Sequence, residues 1–310
     1  MTTDLNYFTK KSILFISPVL ISILSLTIYF TFFSNNNFQY EFLFLHQKNK
    51  IEKSHHIDSV FIGDSSLGNA IDAKYFSDLS SKKTINLALT GKFGYAGSYN
   101  MLKRAFRQNP EIKNAYIMQT VDMYLRPISY TGYLLTAETI KDYTELNIIE
   151  FLKLIKAGLS LSKNVKYKIK DLFKNELNES STDQKSMISD DYIKQGPAVD
   201  FSKDTEFLKI KKISGDRFIF LEKIKDFAKT NHINLIYLHG PYLQKRLKKS
   251  ESYIEFINQK IKDLDILLID QLLGIKNGEN GDTEDHIRPD LKKQYTKNYW
   301  ELINRAVQDK

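Results

Sequence analysis

Ser65 is the residue whose type and setting most clearly indicate chemistry, in the segment DSVFIGDSSLGNAIDAKYF. Residues 60–62 are apolar and predict a short buried strand that ends at Gly63, and a helix is predicted after Ser65. A serine between such a strand and helix lies where backbone amides and the helix dipole stabilise developing negative charge. The position therefore predicts an acyl-transfer nucleophile, with Asp64 holding the loop amides. Helix capping by Asp64, Ser65 and Ser66 is the alternative interpretation.

His286 is the candidate general base, because a serine hydroxyl is a poor nucleophile until a neighbouring base takes its proton. Such a base works best when a carboxylate fixes its tautomer. Of the six histidines, only His286 has acidic neighbours in a loop that precedes a late amphipathic helix, in NGENGDTEDHIRPD. Pro289 opens that predicted helix. A solvated surface histidine is the competing interpretation.

Gly91 is the candidate partner of Ser65 in binding the oxyanion. It lies in KKTINLALTGKFGYAGSYNMLKRAF, where residues 84–89 predict a second strand and a helix follows from about Ser98. A side chain at residue 91 would obstruct a reacting carbonyl, and its amide can donate to negative oxygen. An ordinary loop glycine explains this residue equally well when it is considered alone.

Together the three segments resemble blocks of the SGNH (GDSL-type) hydrolase superfamily. The matching residues are IGDSS at 62–66, NLALTG at 86–91 and EDHIRP around His286, and the resemblance spans roughly residues 58–310. It implies an α/β fold with a doubly wound, flavodoxin-like, five-stranded parallel sheet. It also implies Ser65 as nucleophile, His286 as base, and the Ser65 and Gly91 amides as oxyanion donors. The remaining strands are predicted at 115–120, 233–240 and 266–270.

Two departures from the family pattern concern the acid and the oxyanion hole. The acid of the family lies three residues before the histidine, where this chain has Thr283. Asp282 can reach His286 from the same side of a turn and is favoured over the adjacent Asp285. The asparagine that follows the third strand in the family is absent, because the chain reads IMQTVDMYLRP. The candidate substitutes are Gln119, Thr120 and Asp122, although an ionised Asp122 cannot donate.

Residues 12–33 form an uncharged apolar stretch, and a helix of about 20 such residues crosses a bilayer core. Lys10 and Lys11 precede it, so the positive-inside bias predicts a cytoplasmic N-terminus and a periplasmic, extracytoplasmic domain at a bacterial inner membrane. A cleaved signal peptide and a buried core helix are the alternatives. The predicted organisation is a cytoplasmic tip and anchor at 1–34, a stalk at 35–57 and an SGNH-like domain at 58–310. That domain carries a helical cap insertion at 131–215.

The chain has no cysteine, which excludes disulfides and thiolate metal sites, and we expect no metal or cofactor. Its net charge of +8 is spread over lysine-rich helices without a nucleic-acid pattern. A single span before an SGNH domain is similar to proteins that work beside membrane-bound O-acyltransferases. This resemblance implies a serine O-acyltransferase that transfers acetyl to an envelope polysaccharide and takes the acyl group from such a partner. An esterase of glycans or lipids and a non-catalytic glycan-binding subunit are the alternatives.

Overall fold

The computed structural model describes residues 41–172, 188–189, 192–193, 196–210 and 215–308. The strands are β1 (Ser59–Gly63), β2 (Thr84–Ala88), β3 (Asn114–Gln119), β4 (Ile188–Ser189), β5 (Tyr192–Ile193), β6 (Asn234–His239), β7 (Tyr242–Leu243), β8 (Leu267–Ile269) and β9 (Gly274–Ile275). The helices are α1 (Glu41–Lys53), α2 (Ser65–Ala70), α3 (Ala73–Ser80), α4 (Gly94–Gln108), α5 (Tyr130–Thr136), α6 (Ile140–Thr144), α7 (Ile148–Leu172), α8 (Ile219–Thr230), α9 (Gln244–Leu247), α10 (Glu251–Lys262) and α11 (Lys292–Gln308). Short 3-10 helices cover Val121–Leu125, Gly215–Phe218 and Pro289–Leu291.

A five-stranded sheet with the order β2-β1-β3-β6-β8 forms the centre of the fold, and all its pairings are parallel. The order reverses at β1, since β2 lies on one side of it and the later strands follow on the other. In open α/β sheets, ligands bind in the crevice beyond the carboxyl ends of the strands at such a reversal. Ser65 follows β1 and Thr120 follows β3, so both residues lie at this crevice.

Alternating side chains of the strands contribute to two apolar layers. In β1, Val60 and Ile62 pack into the layer that also holds residues of α4, α8 and α10. Phe61 points to the opposite face and packs with residues of α2, α3 and α11. A strand that is covered on both faces is mostly apolar, and β1 is buried throughout, with Ser59 as its one polar residue. Both faces of the central sheet therefore carry helices.

The segment after Ser65 forms two helices, and the sequence had predicted one. Asp72 interrupts the predicted helix, because its side chain accepts a hydrogen bond from the Tyr75 amide and caps α3. Helix α11 docks at the interruption. Its Thr296 hydroxyl donates to the Ala70 carbonyl (3.1 Å) and accepts from the Asp72 amide (2.9 Å), and Lys292 Nζ donates to the Gly68 carbonyl (2.9 Å). The helix that carries Ser65 is thus fixed by α11.

The parallel five-stranded sheet predicted from the sequence is confirmed, and each predicted strand lies within about one residue of an observed one. Helix α4 begins at Gly94, several residues earlier than predicted. The predicted anchor at 12–33 lies outside the described residues. Among the helices of the described ranges, none has the length and apolar character that a bilayer span requires.

The described part of the predicted stalk is helix α1, and it packs onto the domain. Its residues Leu43, Phe44 and Ile51 are buried in the apolar core. The Gln47 side-chain amide donates to the Ala88 carbonyl at the end of β2 (2.7 Å). Residues 41–53 are therefore part of the globular structure.

The insertion between β3 and β6 contains α5, α6 and α7 in its first half. Its second half also contains the two-residue strands β4 and β5, which pair antiparallel. Strand β5 lies against α2, the helix that begins at Ser65. Residues 196–210, which we call the return arm, form neither helix nor strand and contact the loop around His286.

Candidate functional site

Close packing and buried hydrogen bonds fix the turn that carries Ser65. A side chain at Gly63 would overlap the Met118 carbonyl of β3, so only glycine lets the two strands approach here. Asp64 is buried, and its Oδ1 accepts hydrogen bonds from the amide (3.0 Å) and hydroxyl (2.6 Å) of Ser66. Its Oδ2 accepts from the Thr120 amide (2.9 Å). Asp64 therefore joins the turn after β1 to the turn after β3.

Ser65 itself is partly exposed, whereas its neighbour Ser66 is buried. Within the described part of the chain, neither the hydroxyl nor the amide of Ser65 has a hydrogen-bond partner. The Gly91 amide also has no acceptor among these residues. Amides without acceptors at this edge of the sheet are the groups that an oxyanion requires.

His286 is paired with Asp282. Its Nδ1 lies 2.8 Å from Asp282 Oδ1, and because a carboxylate can only accept, Nδ1 carries the proton. Nε2 is left with its lone pair, is buried, and has no hydrogen-bond partner among the described residues. This is the tautomer that a general base needs. No hydrogen bond joins Nε2 to the Ser65 hydroxyl within the described structure, and such bonds are often long before substrate binds.

Asp285, the alternative acid, lies on the other side of the imidazole. Its Oδ1 is 3.9 Å from His286 Nε2 and accepts a hydrogen bond of 2.6 Å from the Thr283 hydroxyl. Thr283, which occupies the position of the acid in the SGNH pattern, thus orients Asp285. The structure therefore brings both candidate acids to the histidine, with Asp282 on Nδ1 and Asp285 near Nε2.

The pKa values of these groups reflect burial and mutual charge. Burial lowers the pKa of His286, but the hydrogen bond to Asp282 and the charges of Asp285, Asp282 and Asp64 outweigh it and raise the pKa above its ordinary value. Burial, and then the charge of Asp285, raise the pKa of Asp64 to about 6. Charges at Asp64, Asp285 and His286 therefore act on one another.

The segment after β6 contacts both halves of the site, because Gly240 packs against Ser66 and the Leu243 amide donates to the Glu284 carbonyl (2.7 Å). The turn of Ser65 and the loop of His286 thus lie at the same edge of the sheet.

Two of the three candidates at the end of β3 have other side-chain partners. The Gln119 amide is buried and donates to the Ser98 hydroxyl of α4 (3.0 Å). Thr120 is buried, and its amide is bound to Asp64. Asp122 forms an ion pair of 3.0 Å with Arg126. The Gln119 and Asp122 side chains are thus engaged by Ser98 and Arg126, whereas the buried Thr120 hydroxyl has no hydrogen-bond partner among the described residues.

Two residues that contact the candidate site, Arg126 and Gly196, were not predicted from the sequence. Arg126, in the quoted segment IMQTVDMYLRP, reaches back to Gly91, and a methyl group on residue 91 would overlap its Nη1. The only sequence signal was a single cation in a loop after a strand. The second contributor is the Gly196 amide of the return arm, which donates to Asp282 Oδ2 (2.7 Å). No sequence pattern marks a contact between residues so far apart.

Hydrogen bonds and ion pairs attach the return arm to the loop of His286. The Val199 amide donates to the Gly281 carbonyl (3.0 Å), and the Asn280 side chain donates to the Val199 carbonyl (2.7 Å). Arg246, which follows β7, pairs with Asp204 of the arm and with Glu284 of the loop. The insertion therefore takes part in positioning the acid that contacts His286.

No cluster of three or more histidine and acidic residues that could hold a metal occurs in the described residues. A scan against protein-family models finds no match for this chain, and a search of curated proteins finds no similar sequence.

Proposed function

We propose that this protein is a serine acyltransferase that uses Ser65 to carry an acyl group to a hydroxyl acceptor. The observation that carries the proposal is the Asp282–His286 pair, whose buried Nε2 has no hydrogen-bond partner among the described residues, at the same sheet edge as a partly exposed Ser65. Two unoccupied amides, of Ser65 and Gly91, complete the set of groups that acyl transfer needs.

In the first half-reaction, the Ser65 hydroxyl attacks the carbonyl carbon of the acyl donor and its proton moves to His286 Nε2. The carbonyl electron pair moves to oxygen, where the two amides stabilise the negative charge. The imidazolium that forms has Asp282 on one side and Asp285 on the other, and both carboxylates stabilise it. Collapse of the tetrahedral intermediate expels the donor oxygen, which takes the proton from His286, and leaves acyl-Ser65.

In the second half-reaction, an acceptor hydroxyl gives its proton to His286 Nε2 and its oxygen bonds to the acyl carbon. Collapse of this second intermediate breaks the bond to the Ser65 oxygen, which takes the proton back from His286, and releases the acylated acceptor. We propose an envelope polysaccharide as acceptor, acetyl as the acyl group and a membrane-bound O-acyltransferase as the donor partner. The predicted anchor and its positive-inside bias support this setting, with the domain in the periplasm and the chain tethered to the bilayer.

A fluorophosphonate probe on the full-length protein tests the nucleophile. We expect labelling of wild type and loss of labelling in Ser65→Ala by more than about 1,000-fold, because only an activated serine reacts. Ser66→Ala is the matched control: this buried hydroxyl donates to Asp64, so the variant should lose stability but keep the label. Labelling that follows Ser66, or no labelling of wild type, would contradict the proposal.

Hydrolysis is the second candidate, because the partial exposure of Ser65 gives water access to the acyl-enzyme. Transfer and hydrolysis share this intermediate and differ in which hydroxyl reaches it. Incubation of the full-length protein with p-nitrophenyl acetate and an envelope polysaccharide separates them. Acetylated polysaccharide supports transfer, whereas free acetate alone supports an esterase.

A further inference from the structure

Arg126 lies at the oxyanion side of the candidate site, although it is far from Gly91 in sequence. It follows the 3-10 helix Val121–Leu125, and its side chain turns back toward the loop after β2. Its Nη1 occupies the space that a side chain on residue 91 would fill. Glycine at residue 91 therefore lets a guanidinium lie directly beside an amide that has no acceptor in the described structure.

Asp122 holds the guanidinium in place. Its carboxylate accepts from Arg126 Nε (3.3 Å) and Nη2 (3.0 Å), a side-on pairing that fixes the plane of the group. Nη1 makes no hydrogen bond to the described residues, and the Arg126 side chain is 41% exposed. The arginine is thus anchored through two nitrogens, while the third remains available to a ligand.

The surrounding charges keep this guanidinium protonated and close to the reaction centre. Burial lowers the pKa of Arg126, but Asp122, and then Asp64 and Asp285, raise it above the ordinary value. Asp64 precedes Ser65 and Asp285 precedes His286, so Arg126 interacts with both halves of the site. A fixed positive charge in a partly desolvated position stabilises an oxyanion more strongly than a neutral donor does.

We propose that Arg126 is a catalytic residue whose Nη1 donates to the oxyanion, together with the amides of Ser65 and Gly91. This inference rests on the proposed serine chemistry. It assigns to a charged side chain the position for which the SGNH pattern uses asparagine. When the Ser65 oxygen bonds to the carbonyl carbon, the carbonyl electron pair moves to oxygen beside Nη1. No proton leaves the guanidinium, which stays protonated as the intermediate collapses.

The test compares Arg126→Gln, Arg126→Lys and Gly91→Ala in the full-length protein. The readouts are the rate of fluorophosphonate labelling and the kcat and KM for p-nitrophenyl acetate. We expect Arg126→Gln to lower kcat by about 100-fold while KM changes far less, because the interaction strengthens in the transition state. Lysine keeps the positive charge but lacks the planar guanidinium donors, so Arg126→Lys should retain more of the wild-type rate than Arg126→Gln does. If Arg126 had only a structural role, Arg126→Gln would lower thermal stability, and kcat would not fall selectively while KM stayed nearly constant.

Gly91→Ala tests the same contact from the other side, since its methyl group must displace Nη1 while the amide remains. The loss of rate caused by Gly91→Ala and the loss caused by Arg126→Gln should not add in the double variant, because both changes remove the same contact. The control is Arg107→Gln, at the other end of α4, where an arginine of 40% exposure also pairs with a carboxylate, Glu138. It should label at the wild-type rate.

An Arg126→Gln protein that labels within about twofold of wild type would overturn this inference and leave the Ser65 proposal intact. Absence of labelling in wild type would instead refute both. If Arg126→Gln does not fold, Arg126→Lys and Gly91→Ala decide the question, since full activity in both variants overturns the role of Nη1.

Discussion

The two halves of the candidate site are held in different ways. The turn of Ser65 is fixed from within. The buried Asp64 side chain accepts hydrogen bonds from the turn after β1 and from the turn after β3, and Gly63 packs against a carbonyl of β3. The loop of His286 is fixed from outside, by an arm whose Gly196 amide is exposed. The turn of Ser65 is thus held by the core of the sheet, whereas the Asp282–His286 pair depends on an insertion. Apart from Ser65 itself, changes in the first half should mainly affect stability, and changes in the second half should mainly affect activity.

The largest effect on activity that this comparison predicts is that of Asp282→Asn. Loss of the carboxylate removes the charge that stabilises the imidazolium, and we expect kcat to fall by about 100- to 10,000-fold. The His286 pKa should fall as well, because the hydrogen bond to Asp282 is the largest of the interactions that raise it. The acid limb of the kcat/KM profile should therefore move to lower pH. Asp285→Asn is the comparison variant, and an equal loss there with no loss in Asp282→Asn would reverse the two roles.

Asp64→Asn tests the buried half. An asparagine has one oxygen, so either the Ser66 or the Thr120 amide would face an NH₂ group and lose its acceptor. The unfolding free energy should fall by about 1–3 kcal/mol, measured by denaturant titration. Because the folded pKa of Asp64 is about 6, against an ordinary value of 3.8, its contribution to stability is complete below the lower value and is lost as pH rises through the higher. The difference between wild type and variant should therefore be larger in mild acid than at neutral pH.

Gly196→Pro gives the smallest of the three effects. Proline removes the amide that donates to Asp282 Oδ2, so the acid loses one of its anchors. We expect kcat to fall by about 10-fold, since small errors in the orientation of a catalytic group cost rate. Gly196→Ala keeps the amide, and its methyl would make only ordinary contact with Asp282 at 3.4 Å. If Gly196→Pro changed the unfolding free energy more than the rate, the proposed division between the halves would be wrong.

The sequence predicted the sheet well because its strands are short apolar runs between turn residues, and parallel pairing follows from the intervening helices. It also predicted the position of Ser65 at the end of β1. The break at Asp72 escaped prediction because an aspartate suits both a helix face and a cap, and only docking of Thr296 selects the cap. Arg126 and Gly196 escaped because their roles arise from contacts across the chain, which local patterns do not encode.

Helix α11 holds the helix of Ser65 through Lys292 and Thr296, and both lie more than two hundred residues after Ser65. Their hydrogen bonds engage carbonyls at the end of α2, groups that a six-residue helix cannot satisfy within itself. During synthesis, these carbonyls remain unbound until α11 has left the ribosome. A ribosome-stalled chain that ends before Lys292 should therefore have a frayed turn at Ser65, and its fluorophosphonate labelling should be suppressed.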